Sequence, residues 1–319
     1  MEDQSLKGLV FFVINNCMQK EIGTVFIVCG PTAVGKTAFA IELAAHLQTE
    51  IISADSRQCY SELGIAVAKP SLDELKKVPH HFINSHSIHD EINAGIFEEF
   101  ALQKAAFLLS KNQTAVMVGG TGLYIKAFCE GMDSMPEIDP IIRDNILQEY
   151  TIKGLPWLQN EIAEKDPLFW QNAEQGNPQR LMRALEMIRT TGISITQFRK
   201  SERKIRPFRI VKIGLELPRE LLNQRINERV DLMLKEGLIK EAEQLFSNRN
   251  NNALQTVGYQ EIFEYMEGKI TLAKAIELIK QHTRQYAKRQ MTWFKKDPEI
   301  SWYDARTIGV GKVRDNRWG

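Results

Sequence analysis

Eight residues, Gly30–Thr37, read GPTAVGKT and fit the pattern G-x-x-x-x-G-K-[ST]. Each residue type in that pattern has a task in holding phosphate. Gly30 and Gly35 let the backbone close around an anion, because glycine takes conformations that other residues resist. The amides of Pro31's successors Thr32, Ala33 and Val34 line such a loop, and those opening the next helix point at the anion. Lys36 brings a point charge to the terminal phosphate, and the Thr37 hydroxyl suits a magnesium ion. The pattern is short, and an ordinary glycine turn could carry it. Its context decides the reading: the apolar run Val25–Val28 precedes it and helical spacing begins at Ala38. Strand, loop and helix in that order predict a site for phosphate or diphosphate.

Other residues could act beside this loop. Asp55 follows a predicted strand, Glu50–Ser53, at the sheet edge where open α/β folds hold ligands. There it would face a substrate hydroxyl or metal, or merely close an Asx-turn. Gly119–Gly122 (GGTG) follows another apolar run, Ala115–Val118, and offers a second backbone nest with the hydroxyl of Thr121. Arg225 and Arg229 stand four apart on a predicted helix and share a face, as do Arg180 and Arg183 on another within one turn. Such arginines bind anions or are salt-bridged and solvated. The stretch Lys274–Lys296 carries seven lysines and arginines against Glu277 alone, with Tyr286, Trp293 and Phe294 interleaved. Basic groups among aromatics suit a nucleic-acid backbone and unstacked bases. The alternative is a helix with its aromatics packed inward. His80, His81, His86 and His89 match no zinc spacing, and hydrogen bonding in a loop is the expected role.

The elements that must position these groups alternate. Short apolar runs separated by amphipathic helices (the next over Ile92–Ser110, another over Leu123–Phe128) predict a parallel sheet with helices on both faces. The rhythm breaks after Gly131. Residues Met135–Arg206 read as helices broken at Pro136, Pro140, Pro156, Pro167 and Pro178, a helical insertion. Strand Ile210–Leu217 then returns to the sheet, and everything from Pro218 onward reads as helix. The expected organisation is a core over 22–134, the insertion over 135–206 and core completion over 207–319. A hydrophobic content of 43% and charged content of 25% are ordinary for a globular protein. A net charge of +1 means that any nucleic-acid surface must come from local clustering. The four cysteines lack a C-x-x-C pair, which points to reduced thiols and away from zinc. Leu9–Ile14 is too short for a membrane span or leader, so a cytoplasmic protein is expected.

Together these residues resemble the tRNA dimethylallyltransferase (tRNA isopentenyltransferase) family. The matching segments are GPTAVGKT, SADSRQCY (Ser53–Tyr60), VPHHFI (Val78–Ile83), GGTGLYIKA (Gly119–Ala127) and PQRLMRALE (Pro178–Glu186). RINERVDLMLKEGLIKE (Arg225–Glu241), VGYQEI (Val257–Ile262) and TRQYAKRQMTWF (Thr283–Phe294) complete them in family order. Two features depart from the family: IAVAKP (Ile65–Pro70) puts Val67 where a threonine is usual, and residues 1–21 precede the first strand. Altered local contacts, not lost chemistry, are expected at Val67.

The resemblance implies a P-loop NTPase-like α/β fold with a helical insertion and a helical C-terminal region. It implies transfer of a dimethylallyl group from its diphosphate to the exocyclic amine of an adenosine 3′-adjacent to the anticodon in tRNA. Asp55 becomes the general base, Lys36, Thr121, Arg229 and Arg225 hold the diphosphate, and Mg2+ sits on Thr37. The implied tRNA contacts start with Asp55, Ser56, Arg57 and Gln58. They continue in the insertion with Arg143, Gln179, Arg180, Leu181, Met182 and Arg183, and end with Gly258, Tyr259, Arg284, Lys288 and Arg289. A monomer that binds the anticodon stem-loop and no membrane is expected. An isopentenyltransferase acting on free adenine nucleotides, a P-loop small-molecule kinase using ATP and a non-catalytic RNA-binding protein are the competing readings.

Overall fold

The computed structural model describes residues 22–199 and 202–311, so the N-terminal extension of residues 1–21 lies outside the described residues. The chain begins with β1 (Thr24–Cys29), α1 (Lys36–His46), β2 (Ile51–Ser53) and α2 (Leu72–Lys77). Next come β3 (His80–His81), α3 (Ala94–Asn112), β4 (Thr114–Gly119) and α4 (Gly122–Glu130). Local chemistry sets the helix ends. Ser71 and Glu74 form a reciprocal capping box on α2, and the Asn93 side chain accepts from the Gly95 and Ile96 amides at the start of α3.

Residues Gly131–Lys204 form a compact unit of their own. It contains α5 (Pro140–Lys165), α6 (Pro167–Trp170), α7 (Pro178–Thr191) and α8 (Ile195–Phe198) around Ile146, Leu158, Ile162, Leu181 and Leu185. Its prolines act differently from simple breakers. Pro140, Pro167 and Pro178 open helices, where a fixed φ fits and a missing N–H costs nothing. The interruption inside α5 falls at Gly154 (φ 72°, ψ −171°), two residues before Pro156. The unit begins and ends slightly before the expected 135–206.

The remaining described residues make the other compact unit. After α8 it gains β5 (Arg209–Glu216), α9 (Arg219–Glu236), α10 (Leu238–Leu245), α11 (Tyr259–Met266), α12 (Leu272–Phe294) and β6 (Ile300–Asp304). The wholly helical reading after Pro218 is therefore corrected by β6. This edge strand buries only Ile300 among its residues, so it lacks the apolar alternation that marks a strand. Its approach is fixed by Lys212 of β5, whose buried ammonium pairs with Asp297 at 2.6 Å and Glu299 at 2.8 Å.

The sheet runs β3-β2-β4-β1-β5-β6 with every pairing parallel. On one face Val28, Val116 and Ile213 pack with Phe39, Ala40 and Leu43 of α1 and Leu222 and Ile226 of α9. The alternate residues Ile27 and Met117 are buried on the other face, where α3 covers β2 and β4. Each of the larger apolar side chains among these contributes about 1.5–3 kcal/mol by leaving water. The chain leaves β1 toward β2 but leaves β4 for β5 on the far side of β1. This reversal opens a crevice at the carboxyl ends of β1 and β4, the standard ligand position in such sheets. Among the described residues no helix is long and apolar enough to cross a membrane.

Candidate active site

The crevice is walled by the loop after β1, the end of β2, the GGTG loop after β4, and α9 and α12. Gly30 stands at φ 142°, with room for no side chain: an added Cβ would lie 2.5 Å from the Leu215 carbonyl oxygen. Gly35, at φ 106°, turns the chain into α1 without a side-chain cap, which leaves the helix N-terminus open to an anion. Val34 is wholly buried and anchors the loop. Lys36 donates to the Pro31 carbonyl at 2.7 Å and lines the crevice with Thr32 and Thr37.

Two cations meet one acid here. Burial pushes the Lys36 ammonium down to about 8; Asp55 pulls it back up and Arg229 pushes it lower. Burial likewise lowers Arg229, whose guanidinium donates to the Thr32 hydroxyl at 3.4 Å and the Ala68 carbonyl at 3.5 Å. Arg225 is one turn away and donates to the Val34 carbonyl at 3.3 Å, so it braces the loop's backbone. Asp55 both lines the crevice and closes a turn: its Oδ1 accepts from the Arg57 amide at 2.9 Å and the Gln58 amide at 3.3 Å. The local bonds fix the carboxylate's direction rather than competing with a chemical role.

Thr121 is turned to its neighbour across the GGTG loop. Its hydroxyl accepts from the Ser56 amide at 3.0 Å and donates to the Ser56 hydroxyl at 3.3 Å. The Gln58 side chain donates to the carbonyls of Val67 and Ala68, and Val67 itself lines the crevice. The segment around Val67 is held from outside the sheet. Glu241 accepts from the amides of Ile65 (2.8 Å) and Ala66 (3.1 Å) and from the Tyr259 hydroxyl (2.6 Å).

Several residues expected to meet RNA have other duties. Tyr259 is wholly buried on Glu241, and Leu181 is wholly buried in the helical unit's core, so neither side chain reaches a surface. Met182 packs partly against that same core. Gly258, at φ 103°, turns the chain against Ala66. Arg57 donates to the carbonyls of Asn252 (2.8 Å) and Gln255 (3.4 Å). Arg180 pairs with Glu174, and Arg183 with Glu186, each at 2.9 Å. Arg143 lies 3.7 Å from Glu186, while Gln179 is exposed beside Arg180. On α12, Arg284 donates to the Asn227 side chain at 2.7 Å. Lys288 and Arg289 are exposed, and Arg289 lies over the Tyr286 ring. Phe294 is buried, so of the three interleaved aromatics only Tyr286 and Trp293 remain exposed.

The structure also brings to the crevice Gln290, which sequence reasoning did not name, and gives two of the interleaved aromatics a definite place. Tyr286 and Gln290 of α12 line the crevice, and Trp293 packs on Gly122. Their i, i+4, i+7 spacing is the signal that could have placed them on one face of α12, the face that meets the crevice. His80, expected only in a loop, lies on β3 and lines the crevice. Its Nδ1 donates to the Val78 carbonyl at 2.8 Å, burial disfavours its charged form, and its buried Nε2 has no partner. Among the described residues no three histidine, cysteine, aspartate or glutamate side chains converge as a metal site.

The arrangement joins an anion cradle to a directed carboxylate in one crevice. A family model described as IPP transferase matches residues 58–297. The tRNA dimethylallyltransferase of Christiangramia forsetii is 48% identical, across 87% of this chain and 92% of its own. That of Cytophaga hutchinsonii is 45% identical, across 88% and 92%. The full-length tRNA isopentenylpyrophosphate transferase of Bacillus halodurans superimposes with a TM-score of 0.67 at 34% identity, covering 92% of this chain and 94% of that one. A eukaryotic dimethylallyltransferase acting on tRNA gives 0.73 at 25% identity, covering 92% and 76%.

Proposed function

We propose that this chain, which belongs to the tRNA dimethylallyltransferase (IPP transferase) family, moves a dimethylallyl group from its diphosphate to the exocyclic amine of the adenosine 3′-adjacent to the anticodon. The observation that carries the chemistry is the meeting of Lys36 and Arg229 with Asp55 in one crevice. In the reaction the amine nitrogen attacks the allylic carbon, the bond from that carbon to oxygen breaks, and diphosphate leaves with the electron pair. Negative charge grows on the leaving oxygen, where fixed cations and amides stabilise it. Lys36, Arg229 and the loop amides supply that stabilisation. The amine's proton passes to the Asp55 carboxylate, whose two amide bonds hold it in a fixed direction. An aromatic amine is a weak nucleophile, so removing its proton as it attacks lowers the barrier.

Magnesium fits the donors present. Thr37 offers a hydroxyl, and with no three-ligand cluster among the described residues the ion would rely on diphosphate oxygens and water, as magnesium commonly does. Bound there, it would neutralise charge on the departing diphosphate. The adenosine must leave its stack to reach a crevice of this kind.

Labelled dimethylallyl diphosphate offered with unmodified tRNA, and separately with AMP, tests the reading. Label is expected in tRNA only. Label in AMP would favour a free-nucleotide transferase, and phosphoryl transfer from ATP to a small acceptor would favour a kinase.

A further inference from the structure

We propose that Gln290 is a positioning residue that sets the gap between the two loops holding the diphosphate. The inference rests on the diphosphate reading above. Gln290 sits on α12, is 6% exposed, and makes one bond to each loop. Its Oε1 accepts from the Thr32 amide at 2.8 Å, and its Nε2 donates to the Gly120 carbonyl at 2.9 Å. The partners fix the orientation of the side-chain amide, since a backbone N–H can only donate and a carbonyl can only accept. A side chain in this place must therefore donate at one end and accept at the other.

The surroundings are fitted to this strut. A Cβ on Gly120 would fall 2.3 Å from the Gln290 Nε2, so the glycine makes room for the amide rather than for the chain's own turn. Thr32 is steadied from the other side by Arg229, which reaches its hydroxyl at 3.4 Å. One turn either side of Gln290, Tyr286 lines the crevice and Trp293 packs on Gly122, so α12 braces the GGTG loop at two points. The Thr32 peptide is thus held in one plane by a partly buried hydrogen bond, and with it the start of the loop whose other amides face the anion in this reading. A cradle of amides binds an anion well only when the amides are already aimed.

Gln290→Met keeps length and removes both bonds; Gln290→Glu keeps the acceptor for Thr32 but sets a carboxylate against the Gly120 carbonyl. Calorimetric titration with inorganic diphosphate, and KM for dimethylallyl diphosphate, should both weaken about tenfold for the methionine variant, the scale of losing a buried hydrogen bond. The glutamate variant should lose more. Affinity for tRNA should stay within about twofold, the loss expected when no phosphate contact is removed. Dissociation constants and KM do not depend on the active fraction, so a merely structural role, which lowers the melting temperature and the yield of active protein, would leave both unmoved. Wild-type Kd and KM in either folded variant would overturn the inference alone. Wild-type protein that binds no diphosphate would instead overturn the functional reading beneath it.

Discussion

In the crevice, Lys36 and Arg229 lie together in partly buried surroundings with Asp55 as their acid. On α7 the arrangement is reversed, for Arg180 and Arg183 each have a carboxylate at 2.9 Å. Arg189, at the end of the same helix, has two, Glu149 at 2.7 Å and Glu161 at 2.9 Å. The first region sets two cations against one acid, whereas the second gives each cation a carboxylate of the fold. Helix α12 contains both conditions. Its first half is engaged, Lys274 with Glu277, Lys280 with Asp231 and Arg284 with Asn227. Lys288 and Arg289, further along, have no ion pair among the described residues. Counting basic residues along a helix therefore overstates the charge it can offer to RNA. Spacing tells which side chains share a face, but the counter-charges arrive from other elements.

The largest test of this contrast lies in the crevice. Asp55→Asn preserves the acceptor oxygen for the Arg57 and Gln58 amides and removes the carboxylate's capacity to take a proton. The transfer rate at saturating substrates should fall roughly 10²–10⁴-fold, as for loss of a general base, with tRNA affinity nearly unchanged. Near-full activity would place the base elsewhere.

Lys36 gives the next largest effect and a pH signature. Burial holds its ammonium near 8, well under the usual lysine range, so the free protein carries this charge below about 8 and loses it above. Anion binding favours the charged form. Affinity for inorganic diphosphate should accordingly be full below about 8 and weaken as the pH rises through that value. Lys36→Met should cut transfer about 10²–10³-fold, the scale of removing one preorganised donor to a developing anion, and should abolish the break near 8. A wild-type affinity profile that the substitution leaves unchanged would show that Lys36 does not meet the anion.

How much of this could be read from the residues themselves depends on distance along the chain. Gly30–Thr37 and Asp55 were legible because backbone freedom, helix entry and the Asx-turn are local demands written within a few residues. The parallel core was legible because its central strands are apolar on both faces. The edge strands β3 and β6 were not, since two histidines and a strand burying only Ile300 carry no such pattern. Gln290 was invisible for another reason: its partners stand 258 and 170 residues away. Tyr259 misled in the same way. It lies in a segment shared with the family, yet its hydroxyl is bound inside the fold by Glu241, 18 residues upstream.

The smallest expected effects bring the comparison of the two helices to a decision. If charge must be unspent to bind RNA, Lys288 and Arg289 on α12 should contribute more than Arg180 and Arg183 on α7, although each pair carries two positive charges. Changing Lys288 and Arg289 together to Gln should flatten the slope of log K against log salt by roughly 1.4–1.8, because each lost phosphate contact removes about 0.7–0.9. Arg284 is left in place, as its guanidinium already serves Asn227. Changing Arg180 and Arg183 to Gln should flatten the slope by less than about 0.5, since each guanidinium is already neutralised by a carboxylate, the exposed Glu174 or the buried Glu186. That variant leaves the exposed Glu174 without its arginine, whereas the buried Glu186 keeps Arg143 at 3.7 Å, so a modest drop in tRNA affinity would accompany the small change in slope. Equal slopes for the two double variants would mean that the α7 arginines exchange their carboxylates for phosphates when tRNA binds. Internal pairing would then be no guide to which basic groups meet the RNA.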